Sequence, residues 1–153
     1  MNIKANAVTD ELVRRLSLIT GPDYPIALAS IERGQFYEDL PDAAALPVAC
    51  IVPASSNAAA GQAMPQSAKR TRYYQIEIIF DFDHYPSVER DVLMTQVEWS
   101  LGKALGGIHS GRGLAGLATD MQLAEIEYGW PSTGHSIGTL TATLIIGYVE
   151  NYQ

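Results

Sequence analysis

The chain has 153 residues, 47% of them apolar and 18% charged, which suits one globular domain spanning 1–153. Its single cysteine excludes an internal disulfide framework, and no apolar run nears the ~20 residues a membrane span needs. The formal net charge of −7 argues against a groove that grips nucleic acid, while leaving room for a surface past which DNA slides.

From the N-terminus, "MNIKANAVTDELV" lacks the apolar core of a signal peptide, so a protein made in a cytoplasm is expected. Thr9 to Ile19 reads as a helix: Thr9 caps it, Asp10 and Glu11 suit its positive end, and Leu12, Leu16 and Ile19 share a face. "TGPDYP" stops it, because Gly21, Pro22 and Pro25 oppose helical continuation. "IALASIERGQF" is a weak strand candidate, and "LPDAAALP" a loop. "PVACIVPA" is a short apolar run between prolines, as expected of a strand covered on both faces, with Cys50 a buried thiol.

Residues 54–70 open on the small-residue run "ASSNAAAGQAMPQSAK", which buries too little area to offset the entropy of ordering and predicts a mobile loop. Lys69, Arg70 and Arg72 gather at its end as a solvated cluster or a contact for an acidic partner. "YYQIEIIFDFD" then alternates: Tyr74, Ile76, Ile78, Phe80 and Phe82 lie on one face, Tyr73, Gln75, Glu77, Ile79, Asp81 and Asp83 on the other. That period of two predicts a long antiparallel strand with one wet face. Ser87 to Leu105 predicts a helix with Ser87 as cap and Leu93, Val97, Leu101 and Leu105 repeating every fourth residue. A Gly-rich connector leads to the strand "MQLAEIEYGW", the turn "PSTGHS" and the strand "IGTLTATLIIGYVE", the last two strands forming a hairpin. The order predicts an α+β fold: a mixed, mostly antiparallel sheet of four to five strands with two main helices on one face.

Three stretches invite a chemical reading. "FDFDH" follows an apolar strand as does the nucleophile motif of haloacid-dehalogenase-like phosphatases, which would make Asp81 and Asp83 a metal-dependent phosphohydrolase pair. That fold needs an early strand in a parallel sheet, a later lysine and a later acidic pair. Here Asp81 comes after half the chain, and Lys103, mid-helix, is the sole lysine behind it. The alternation already accounts for both aspartates as the wet end of a strand, and a metal site with His84 as third ligand lacks a second cluster. "GRGLAG", Gly111 to Gly116, matches the dinucleotide fingerprint by letter but follows a helix where the motif requires a strand. Cys50 has no basic partner nearby, no nucleophile elbow surrounds Ser132 or Ser136, and His84, His109 and His135 are too widely spaced for a ligand pair. Trp99 and Trp130 read as core anchors, with an interface role as the alternative. No catalytic residue, metal or cofactor is expected, and an enzyme or a small-molecule or peptide-binding module remain the competing classes.

The order of elements resembles a family. "ELVRRLSLI", "ALPVACIVPA", a variable loop, "YYQIEIIFDF", "SVERDVLMTQVEWSLGKAL", a Gly/Leu connector, "MQLAEIEYGWPSTG" and a Thr-rich "GTLTATLIIGYVENY" follow the layout of the tail-terminator proteins of long-tailed bacteriophages, the minor tail protein U type. The resemblance implies a non-enzymatic virion protein at the head-proximal end of the tail, made in a bacterial host. Such subunits form a ring, usually a hexamer, that caps the tail tube, ends its polymerisation and presents a docking surface to the head completion protein. A head–tail connector or tail-completion subunit is the nearest alternative. A closing ring needs a heterologous interface, for which Lys69, Arg70 and Arg72 of one subunit and Glu77, Asp81 and Asp83 of the next are the expected surfaces. An acidic lumen would let DNA pass without retaining it.

Overall fold

The computed structural model describes residues 2–58, 67–106 and 114–152. The alternating segments pair into one five-stranded sheet in the order β1-β2-β3-β5-β4. β1 (Ser30–Arg33) runs parallel to β2 (Val48–Ala58), whereas β2, β3 (Ser67–Asp81), β5 (Ile137–Asn151) and β4 (Asp120–Gly129) are each antiparallel to their neighbours. Helices α1 (Lys4–Leu16) and α2 (Arg90–Ala104) pack on one face, giving the expected α+β fold.

β3 and β5 form the spine, paired without a break from Ser67↔Asn151 to Asp81↔Ile137. Their even-numbered residues all point at the helices. Tyr74, Ile76, Ile78 and Phe80 meet Leu140, Ala142, Leu144 and Ile146 there, every one fully buried. Leu12 and Leu16 of α1 and Leu93, Val97 and Leu101 of α2 close the core from above. Each such side chain contributes about 1.5–3 kcal/mol on leaving water. β2 is covered twice, as its unbroken apolar run predicts. Ala49 and Ile51 join the main core, while Val48 and Cys50 form a second cluster with Ile79 under Tyr37, Leu40 and Leu46.

Several boundaries depart from the sequence reading, each for a local reason. α1 begins at Lys4, five residues before Thr9. Its first amides are satisfied from across the chain, because the Glu150 carboxylate accepts from Lys4 N and Ala5 N at 2.9 and 3.0 Å. Thr9 therefore sits inside the helix, donating to the Ala5 carbonyl and lying 2.6 Å from the Tyr74 hydroxyl. α2 likewise starts at Arg90, with Glu89 at the cap position and no side-chain cap bond, so Ser87 is not its cap. The weak strand candidate shrinks to Ser30–Arg33.

The loop expected over 54–70 narrows from both sides: β2 continues to Ala58 and β3 starts at Ser67, with Asn57 paired to Thr71 and Ala58 to Arg70. Ladder hydrogen bonds hold these small residues in strands that their side chains alone would not order. Residues 59–66 of that loop lie outside the described residues, as do His109 and Gly111 to Gly113. In β4 the register shifts between Leu123 and Glu125, so Met121 and Leu123 join Ile126 and Tyr128 on the helix side and the simple alternation fails. No helix among the described residues is long and apolar enough to cross a membrane.

Candidate functional site

Strand parity sends the expected contact residues to different places. Arg70 and Arg72 are even-numbered, like Tyr74, and project on the helix side beyond the end of the core. Arg72 donates to the Ala5 carbonyl at 3.4 Å and rests over the Tyr74 ring, 5.2 Å from its centroid. Arg70 donates to the carbonyl and hydroxyl of Ser56 on β2, both at 3.0 Å. Between them and the start of α1 opens a cavity of about 600 Å³, whose walls include Ile3, Arg70, Arg72, Tyr148 and Tyr152. Its floor holds Glu150, 7% exposed, whose carboxylate is engaged by the helix amides. Lys69 is odd-numbered and exposed on the opposite face, in register with Val149.

Glu77 is drawn out of the wet surface. It lies opposite Cys50 in the register, beneath the segment that carries Tyr37 and Leu40. Its Oε1 is buried without a hydrogen-bond partner among the described residues. Burial raises its pKa and the nearby Glu38 charge adds to this, against a bond from the Tyr37 backbone amide. The same burial, reinforced by the Glu77 and Glu32 charges, lifts the Cys50 thiol to about 11, so it stays protonated and unreactive at neutral pH.

Asp81 ends β3 and does a local structural job. Its Oδ1 accepts from Asp83 N at 2.9 Å, which starts the 3-10 turn Phe82–His84. Ser136 bonds the same carboxylate and His84 Nε2 stands 3.8 Å away. The Ser136 and Asp83 bonds, with a smaller contribution from His84, hold its pKa below the ordinary value. Asp83 has left the strand and lies exposed beside a polar cleft lined by Arg90, Thr133 and His135. The two aspartates therefore do not share the straight polar face that alternation predicts.

For phosphoryl transfer, a strand bearing the carboxylate pair would sit in a parallel sheet; β3 has antiparallel neighbours on both sides. Among the described residues no group of three or more His, Cys, Asp or Glu is placed to hold a metal ion. Within "GRGLAG", the described Leu114 to Gly116 form a tight turn with positive φ at all three positions.

Two features escaped the sequence reading. Glu150 is one: it shares the parity of Leu144, Ile146 and Tyr148, and a carboxylate in a core stripe was a legible sign of a buried cap. The other is the pair of tryptophans. Read as core anchors, Trp99 and Trp130 are instead 53% and 51% exposed. Trp130 stacks on Phe82 at 6.0 Å and Trp99 meets Tyr24 edge-on at 6.5 Å. No protein-family model matches the chain, and no curated protein matches it either.

Proposed function

We propose that the chain is a structural subunit of bacteriophage tail assembly, of the tail-terminator type, which works by self-association into a ring and performs no chemistry. The observation that supports this best is the polarity of β3. Arg70 and Arg72 flank a cavity at one end and Asp81 and Asp83 form an acidic turn at the other. Asp81 lies nine positions beyond Arg72, roughly 30 Å of extended strand. The arginine pair at one end, beside a Glu150 already engaged by helix amides, and the aspartate pair at the other, beside Arg90, are unlike patches of the kind that a head-to-tail ring repeats. Glu77, half-buried under Tyr37, is left out of that contact, and Lys69 faces the other side of the sheet.

In this reading the ring's partners are the tail tube protein and the head completion protein. The chain's net charge of −7 suits a lumen that passes DNA without holding it. The test is Arg70→Glu combined with Arg72→Glu, followed by sedimentation in the presence of tail tubes and by a tail-assembly assay. Loss of capped tubes of defined length, with the fold retained by circular dichroism, is the expected outcome. Normal capping by the double variant would refute the reading.

A further inference from the structure

The outer face of α2 sets large apolar side chains among its exposed charges Arg90, Asp91 and Lys103. The inner face buries Leu93, Met94, Val97 and Leu101, and a helix with such a face ordinarily turns charge to water. Here Val92 is 45% and Trp99 53% exposed, with Thr95 exposed between them and Gly102 one turn on. The spacing of these residues, three, four and three, is that of the seam by which one helix docks on another. A Cβ built on Gly102 meets nothing within 4 Å, so the chain's own side chains leave that notch open.

We propose that this face receives the same face of a second copy, α2 against α2, antiparallel about a twofold axis. In an antiparallel pair the two seam positions face each other, and here the sequence matches itself in that register. Trp99 falls against Thr95 of the second copy and Val92 against Gly102, so every layer sets a bulky side chain on a small one. The charges on one flank agree with the same axis: Lys103 of each copy comes beside Glu89 of the other. Lys103 is already positioned at that rim, its ammonium 5.0 Å from the Trp99 ring and 4.7 Å from that of Tyr24 while it donates to the Asp23 carbonyl at 2.8 Å. On the other flank the two Glu98 carboxylates approach. Each is held toward its own β4 by the Tyr128 hydroxyl at 2.8 Å, and their repulsion limits the affinity.

A helix of 15 residues is about 22 Å long, and two such helices bury less than the roughly 1,200 Å² of a stable complex. The dimer is therefore weak and concentration-dependent. Its seam residues Val92, Thr95, Trp99 and Gly102 are separate from the arginines and aspartates of the ring contact, and only Glu89, which shares a cleft with Asp83, lies near them, so Thr95→Glu tests the dimer apart from the ring.

Sedimentation velocity over a roughly hundredfold range of concentration should show the mean mass rising toward twice the 16.6 kDa monomer. In a Trp130→Phe background the Trp99 emission should shift to the blue over the same range. Thr95→Glu, at an exposed position, should abolish both changes while leaving the circular dichroism spectrum intact. Glu89→Lys and Lys103→Glu should each weaken association several-fold, and the two together should restore it. A constant monomer mass overturns the proposal, and so does association that persists in Thr95→Glu.

Discussion

Glu150 decides where the chain's first helix begins. Its carboxylate answers two amides that no nearby side chain reaches, and it does so from 146 residues away. Removing it in Glu150→Ala should cost about 1–2 kcal/mol in urea unfolding, with Glu150→Gln costing less because an acceptor remains. Glu77 works in the opposite sense. Its folded pKa lies above the ordinary 4.5, so the folded state holds the proton more tightly than the unfolded chain. Stability from this group is complete below pH 4.5 and is lost as pH rises through the folded value. Glu77→Gln should accordingly be more stable than the parent at pH 7, with the difference vanishing below pH 4.5. Glu11 has the reverse sign: bonds from Arg14 and Arg15 hold it at about 2, and what it contributes is lost as pH falls toward that value. Comparing unfolding midpoints of parent and Glu77→Gln across this range separates the two.

Among the elements, the β3–β5 spine and α1 are joined by a short buried bond between Thr9 and the Tyr74 hydroxyl, 2.6 Å long. Thr9→Val keeps the shape of the side chain and removes one of that hydroxyl's two side-chain partners, Arg72 being the other, which should cost about 1 kcal/mol. β5 also makes way for its neighbour's aromatic rings. A Cβ on Gly138 would stand 2.7 Å from Phe82 Cε2 and 3.0 Å from two atoms of Phe80. Gly138→Ala should therefore lower stability by about 1–3 kcal/mol through overpacking, readable as a fall in the thermal midpoint. The sequence carried most of these elements. Alternation in "YYQIEIIF" and "TLTATLII" located the two central strands, and the fourfold spacing of Leu93, Val97 and Leu101 located α2. What it misplaced were ends. Thr9 and Ser87 looked like caps because capping chemistry is local, whereas the bonds that set the start of α1 come from β5. The small residues around Asn57 looked like loop because their order comes from the partner strand and nothing in their own side chains supplies it.

For the molecule as a whole, the proposed ring contact through the ends of β3 predicts an association sensitive to salt. Ring contacts between the arginine and aspartate ends should weaken between low and high ionic strength, while the α2 seam should change less, because screening that weakens its Glu89–Lys103 pair also relieves the Glu98–Glu98 repulsion. Sedimentation at two salt concentrations, with and without tail tubes, distinguishes the two contacts. By itself the sequence determined the α+β class, the two covered faces of β2 and the inward stripes of β3 and β5, because hydrophobic period is a property of consecutive residues. Tertiary structure alone decided that Arg70 and Arg72 share a cavity with Glu150, that Glu77 is sheltered beneath Tyr37, and that Trp99 and Trp130 stand in solvent. Those facts depend on which strand lies beside which and where each helix stops covering the sheet, and such long-range pairing leaves no periodic trace in a single chain.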